Sequence, residues 1–157
     1  MNNLFENSLE NLLKNGDFST GDLPPWTTTA GEDTWKIKSD SEGYYAQLTM
    51  GGSLSQSLPA GIYKPTSLIF EVRAGQDVKP GDFVIFSYAV FLNTSEGGEV
   101  YGNILAAYEE WREIAIDLNR KPLPANVVTV QVHTATNPEA LRIEVGSVHF
   151  RNFRLIS

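Results

Sequence analysis

Apolar and polar side chains alternate along most of this chain. In residues 67–73, Leu68, Phe70 and Val72 fall on one side and Ile69, Glu71 and Arg73 on the other. In residues 128–133 the apolar set is Val128, Val130 and Val132, and the polar set is Thr129, Gln131 and His133. In residues 141–145 the odd positions are apolar and the even ones charged. A period of two is that of an extended strand, whose successive side chains point to opposite faces. Strands with one apolar and one polar face predict a two-layer antiparallel sandwich. On this basis strands are expected at 11–14, 34–38, 44–49, 52–57, 66–74, 82–92, 99–106, 111–117, 126–135, 140–145 and 147–156. Between them lie turn-forming clusters such as Asp22-Leu23-Pro24-Pro25, Pro59-Ala60-Gly61, Lys79-Pro80-Gly81-Asp82, Glu96-Gly97-Gly98-Glu99 and Lys121-Pro122-Leu123-Pro124. No segment keeps a helical period; residues 104–111 come nearest. The expected architecture is all-β: one antiparallel β-sandwich of jelly-roll type over residues 11–157. An N-terminal arm, 1–10, precedes it, with Leu4, Phe5 and Leu9 available to reach a neighbouring chain.

Composition narrows the classes of function. A chain of 157 residues suits one domain with a full core. It has no cysteine, so disulfides, cysteine–zinc sites and thiol chemistry are absent. Nineteen acidic against twelve basic residues give a net charge of −7, and the basic ones are scattered. Nucleic acid and anionic membranes both need a concentrated positive field, so neither is an expected partner. No apolar run approaches the ~20 residues that span a bilayer. Residues 1–13 lack the basic start of a secretory leader, and Glu6 and Glu10 interrupt their apolar positions. The expected location is therefore cytoplasmic or reached by a non-classical route, or extracellular if a leader preceded the chain.

Candidate catalytic chemistry is thin. His133 and His149 each sit alone in a predicted strand, without metal-ligand spacing. Glu109, Glu110 and Glu113 surround Trp111, and a carboxylate pair could serve a glycosidase, but a solvated strand edge accounts for them more simply. Gly51-Gly52 and Gly97-Gly98 read as turns, not phosphate loops. A non-catalytic domain without cofactor is expected.

One segment carries a family signal. Asn11-Leu12-Leu13-Lys14-Asn15-Gly16-Asp17-Phe18-Ser19-Thr20-Gly21, followed by Trp26, resembles the start of carbohydrate-binding modules of families 4, 9 and 22, within the galactose-binding-like jelly rolls. Bacterial N-terminal domains fused to repetitive or collagen-like proteins open similarly, with a Leu-Pro-Pro-Trp. Residues 44–48, 53–58, 111–118 and 148–155 are similar to later strands of the same modules, so the resemblance spans residues 11–156. Physically, Asn15-Gly16 is suited to a positive-φ turn, and Phe18 and Trp26 are suited to plug the core. The resemblance also implies a structural calcium, held by a Glu after the Phe and an Asp near the C-terminus. Here those positions are Ser19 and Asn152. Losing two carboxylates weakens such a site, although Asp17 and Asp22 remain nearby, and the expectation is no metal.

For function, the resemblance implies a glycan lying in a groove across one sheet. Sugar sites pair aromatic surfaces, which stack on pyranose C–H faces, with a few placed polar groups. The polar strand faces supply Glu71, Arg73, Gln131 and His133; Tyr45 and Gln47 share the parity of their strand. Tyr88 or Phe91 is the candidate platform, and Trp35, Tyr101 and Tyr108 are candidate rim aromatics. An oligo- or polysaccharide is the expected partner. The alternative is a protein-interaction or oligomerisation module of a larger assembly, of phage, toxin or cell-surface attachment type. In that reading the same polar faces meet protein, and Glu71 and Arg73 simply pair with strand neighbours.

Overall fold

The computed structural model describes residues 10–29, 32–118, 124–134 and 146–157. Residues 1–9 of the expected arm and the expected strand at 140–145 lie outside them. After a three-residue 3₁₀ turn the described residues form nine strands: β1 (Trp35–Asp40), β2 (Gly43–Leu48), β3 (Ser53–Ser57), β4 (Ser67–Ala74), β5 (Val84–Thr94), β6 (Gly97–Ala107), β7 (Arg112–Asp117), β8 (Ala125–Thr134) and β9 (Val148–Ile156). They form two antiparallel sheets, one of five strands in the order β1-β2-β9-β4-β7 and one of four in the order β3-β8-β5-β6. This is the expected all-β sandwich.

Alternation decides which side chains enter the core. On β4, Leu68, Phe70 and Val72 are buried while Ile69, Glu71 and Arg73 are half-exposed on the outside. On β8, Val128, Val130 and Val132 are buried, opposite the outward Thr129, Gln131 and His133. Between the sheets lies an aromatic cluster of Phe18, Trp26, Phe70, Phe86, Phe150 and Phe153. Trp26 and Phe153 have ring centroids 4.8 Å apart, and Phe70 stacks on Phe153 at 5.1 Å.

The opening motif is not the expected strand at 11–14. Two backbone hydrogen bonds tie it to β9, Leu12 N–H to Leu155 C=O at 2.8 Å and Phe153 N–H to Gly16 C=O at 2.9 Å, and side-chain amides hold the rest. Buried Gln56 of β3 accepts from Lys14 N–H at 2.8 Å and donates to Lys14 C=O at 2.9 Å. The Asn11 side-chain Oδ1 accepts from Leu13 N–H and Leu155 N–H, and its Nδ2 donates to Phe153 C=O at 2.8 Å. Positive φ falls on Asn15 (50°) and Phe18 (56°). Gly16 serves a different purpose: a Cβ there would stand 2.1 Å from the Phe153 carbonyl oxygen. Trp26 donates its indole N–H to Asn15 C=O at 3.0 Å, so the turn and the core plug are one unit. Phe18 and Trp26 are both buried, as their place in the motif suggests.

Candidate ligand-binding faces

The sandwich has two outer faces, and the candidate site residues divide between them. Glu71, Arg73, Tyr45 and Gln47 lie on the five-stranded sheet. Gln131 and His133 lie on the four-stranded sheet, with Phe91. The expectation that these polar strand faces form one groove is therefore corrected: β4 and β8 belong to different layers and turn their polar sides away from each other. Tyr88 is also corrected. It pairs with buried Val132 on β8 and packs on the core, its ring 6.5 Å from that of Phe70, so it is not an outward platform. Trp35 pairs with buried Leu48 and likewise packs against the core. Tyr101 is half-buried against the core, whereas Tyr108 is exposed beside Phe83 with centroids 5.9 Å apart.

The five-stranded face is charged and internally paired. The Arg73 guanidinium lies over Tyr45 at 5.1 Å and over Trp111 at 4.4 Å, and Arg151 covers Trp111 at 4.0 Å. Rings and guanidiniums thus alternate in a ladder of cation–π contacts. Arg73 Nε donates to His149 Nδ1 at 2.9 Å, and His149 Nε2 meets Gln47 Oε1 at 3.2 Å. His149 is only 2% exposed. Burial, then the neighbouring charges of Arg73 and Lys38, push its pKa down to about 4, against weaker opposing pulls from Asp77 and Asp40. It is therefore neutral at pH 7, with Nδ1 free to accept from Arg73 and the proton on Nε2, aimed at Gln47. Arg73 also reaches Asp40 at 3.6 Å, and Arg151 bridges Glu42 at 3.3 Å and Glu71 at 3.2 Å. Glu71 accepts from Asn152 as well. Burial raises the Glu71 pKa, but the hydrogen bonds from Asn152 and Arg151 and the Arg151 charge outweigh it and hold the carboxyl below its ordinary value.

An open groove of about 500 Å³ runs beside this face, lined by Asn15, Asp17, Glu71, Glu113, Asn152 and Arg154 among others. Its lining includes Asn152, one of the two positions at which the resemblance implies a calcium ligand, and Asp17. The donors there are engaged within the protein: Asp17 accepts from Ser19 N–H at 3.1 Å, and the Asn152 amide donates to Glu71. Among the described residues no three His, Asp or Glu side chains gather as metal ligands.

The four-stranded face is different in kind. Its outward positions are Ser53, Ser55 and Ser57 on β3, Thr129, Gln131 and His133 on β8, Ser87, Ala89 and Phe91 on β5, and Val100, Gly102 and Ile104 on β6. Apart from His133 none of these is ionisable. Ser57 and Thr129 hydroxyls meet at 2.8 Å, and Ser87 meets His133 Nε2 at 2.9 Å. The Gln131 side chain has no hydrogen-bond partner among the described residues. Phe91 is 39% exposed. The serine row of β3 was visible in the alternation of Ser53, Ser55 and Ser57. The roles of Trp111, Arg151 and His149 had no such signal, because β9 meets both β2 and β4 only in the folded sheet.

No known family matches the sequence, and no curated protein does. Solved structures do match. A family 61 carbohydrate-binding module in complex with β-1,4-galactotriose superposes with a TM-score of 0.63 at 18% identity, over 94% of this chain and 98% of that one. The xylan-binding CBM22-1 domain of Paenibacillus barcinonensis Xyn10C gives 0.61 at 13% identity, over 96% and 97%. The enzymatically active domain of bacteriophage CBA120 tailspike protein 4 gives 0.66 at 14% identity, over 93% of this chain but 21% of that one. At these identities the likeness is one of fold, and at that level the resemblance to carbohydrate-binding modules holds.

Proposed function

We propose that this domain is a non-catalytic glycan-binding module that holds an oligo- or polysaccharide on the outer face of its four-stranded sheet. The observation that carries the reading is the chemistry of that face. Hydroxyls from Ser55, Ser87 and Thr129, the unengaged Gln131 amide and the His133 imidazole share this face with exposed Phe91. This is a small apolar surface with convergent hydrogen-bonding groups, which is what a pyranose chain asks for. The opposite face is a poorer candidate, because its aromatic and charged groups are already paired with one another. Whole-length likeness to modules solved with oligosaccharides supports the reading.

Affinity electrophoresis through gels containing β-galactan, xylan and mixed-linked β-glucan tests it. Retardation by at least one glycan is expected, and Phe91→Ala should reduce it about tenfold or more, the loss of one stacked ring and its apolar contact. No retardation by these or by a wide glycan array would overturn the proposal.

A further inference from the structure

Among the described residues each sheet ends in two edge strands, and three of the four are protected. Strand β1 carries Lys36, Lys38 and Asp40, and β7 carries Arg112, Glu113 and Asp117. Strand β3 is covered by Thr27, which exchanges backbone hydrogen bonds with Ser55 at 2.8 and 2.9 Å. Charges and covering segments of this kind are how sheet edges avoid pairing with other chains. Strand β6 has no covering segment among the described residues and almost no charge. It is eleven residues long, contains no proline, and carries one charge, Glu99. Its pairing with β5 runs without a bulge from Val84↔Ala107 to Thr94↔Gly97. Val100 and Ile104 are 62% and 64% exposed on its outer face.

We infer that β6 is a self-association edge, and that its occupant is β6 of a second copy, paired antiparallel about a two-fold axis through Gly102. The strand is complementary to itself in that register. Val100 falls opposite Ile104 of the copy and Ile104 opposite its Val100, so the exposed apolar side chains of the two β6 strands form two cross-strand pairs. Gly102 meets Gly102 at the axis, where bulk is least tolerated: a Cβ at this position would already stand 3.0 Å from the Tyr88 carbonyl oxygen. Glu99 falls opposite Leu105, so the one charge on the strand does not meet its own copy. This matters for a chain of net charge −7, which pairs most readily through a neutral edge. The four-stranded sheet would thereby double into one continuous sheet. The inference stands on the edge alone and does not depend on a glycan.

Sedimentation velocity at tens of micromolar, without glycan, should give twice the monomer mass. Val100→Lys and Ile104→Lys should each return the monomer with unchanged far-ultraviolet circular dichroism. A wild-type monomer throughout the concentration range, or a dimer that persists in both lysine variants, would overturn the inference. Oxidation tests the register. The chain is free of cysteine, so a Val100→Cys/Ile104→Cys double variant should cross-link to a covalent dimer. Val100→Cys alone should not, because its copy would lie roughly 13 Å away, four residues at ~3.3 Å each. Equal cross-linking by the single and double variants would exclude this register and with it the proposal.

Discussion

The two outer faces of this sandwich are made by the same alternation and come out opposed in character. On the five-stranded face, Arg73, Arg151, Glu71 and Asp40 are paired with one another and with Tyr45, Trp111 and His149, and only Trp111 Nε1 and Arg151 Nε are buried without a hydrogen-bond partner among the described residues. On the four-stranded face, neutral hydroxyls, an amide and a phenyl ring stand outward with few partners. The difference shows that polar residues on a strand do not identify a binding surface. Glu71 and Arg73 look like ligand-binding groups in sequence, but their hydrogen-bonding capacity is spent inside the sheet. A residue that binds a ligand must keep capacity in hand, as Gln131 does.

If the five-stranded face is a structural clamp, breaking it should cost stability, and acid should break it first. His149 is neutral in the native state, with a pKa near 4 against 6.5 for the free side chain. Above pH 6.5 it is neutral folded or unfolded and has no effect on the balance. As pH falls below 6.5 the unfolded chain takes the proton first, so stability declines until the native pKa is reached. A difference of about 2.5 units corresponds to roughly 3 kcal/mol lost between pH 6.5 and 4. Urea unfolding at a series of pH values should show this decline, and His149→Gln should remove most of it. A pH-independent midpoint in the wild type across that range would mean that His149 is not held as the structure places it.

Next in size is the ladder itself. Arg73→Met keeps much of the volume but removes the hydrogen bond to His149 and two cation–π contacts. Each is worth of order 0.5–1 kcal/mol, so a loss of about 2 kcal/mol is expected in chemical denaturation. Arg73→Lys should recover little, since an ammonium cannot lie flat between two rings while donating from Nε. A loss under about 0.5 kcal/mol for Arg73→Met would erase the distinction between the faces.

How far the sequence foretold this division differs between elements. The strands of residues 66–74 and 126–135 were legible because each has a strict apolar face, and a slip of one residue would expose it. The segment 11–14 was misread as a strand. Its apolar residues are strand-like, but beside one backbone bond from Leu12 to Leu155 its hydrogen bonds go to the amides of Asn11 and Gln56, and a Gln some forty residues away gives no local sign of that. The grouping of Glu71 with Gln131 failed for a related reason. Alternation says which residues leave the core; only sheet order says which layer they leave by. Sheet order depends on long-range pairing such as β9 between β2 and β4, which no local pattern encodes. Tyr88 was misread because the run 84–92 has apolar or aromatic residues at both parities, so the sequence does not show that Tyr88 shares the inward side of β5 with Phe86 and Val90.

The smallest effect on stability is the one that separates the faces most sharply. Gln131 stands between Ser55 of β3 and Ala89 of β5, and its side chain has no partner among the described residues. Removing it deletes no internal hydrogen bond and no core volume. Gln131→Ala should therefore change the unfolding free energy by less than about 0.5 kcal/mol, the range of surface substitutions that touch no special feature. In affinity gels the same variant should lose several-fold in retardation, because an amide offers a sugar hydroxyl both a donor and an acceptor. Arg73→Met should behave in the opposite way, losing stability while its retardation below the unfolding midpoint stays near that of the wild type. The two variants form a crossed pair. If Gln131→Ala is silent in both assays while Arg73→Met abolishes retardation in the folded protein, the ligand sits on the five-stranded face and the assignment of the two faces is reversed.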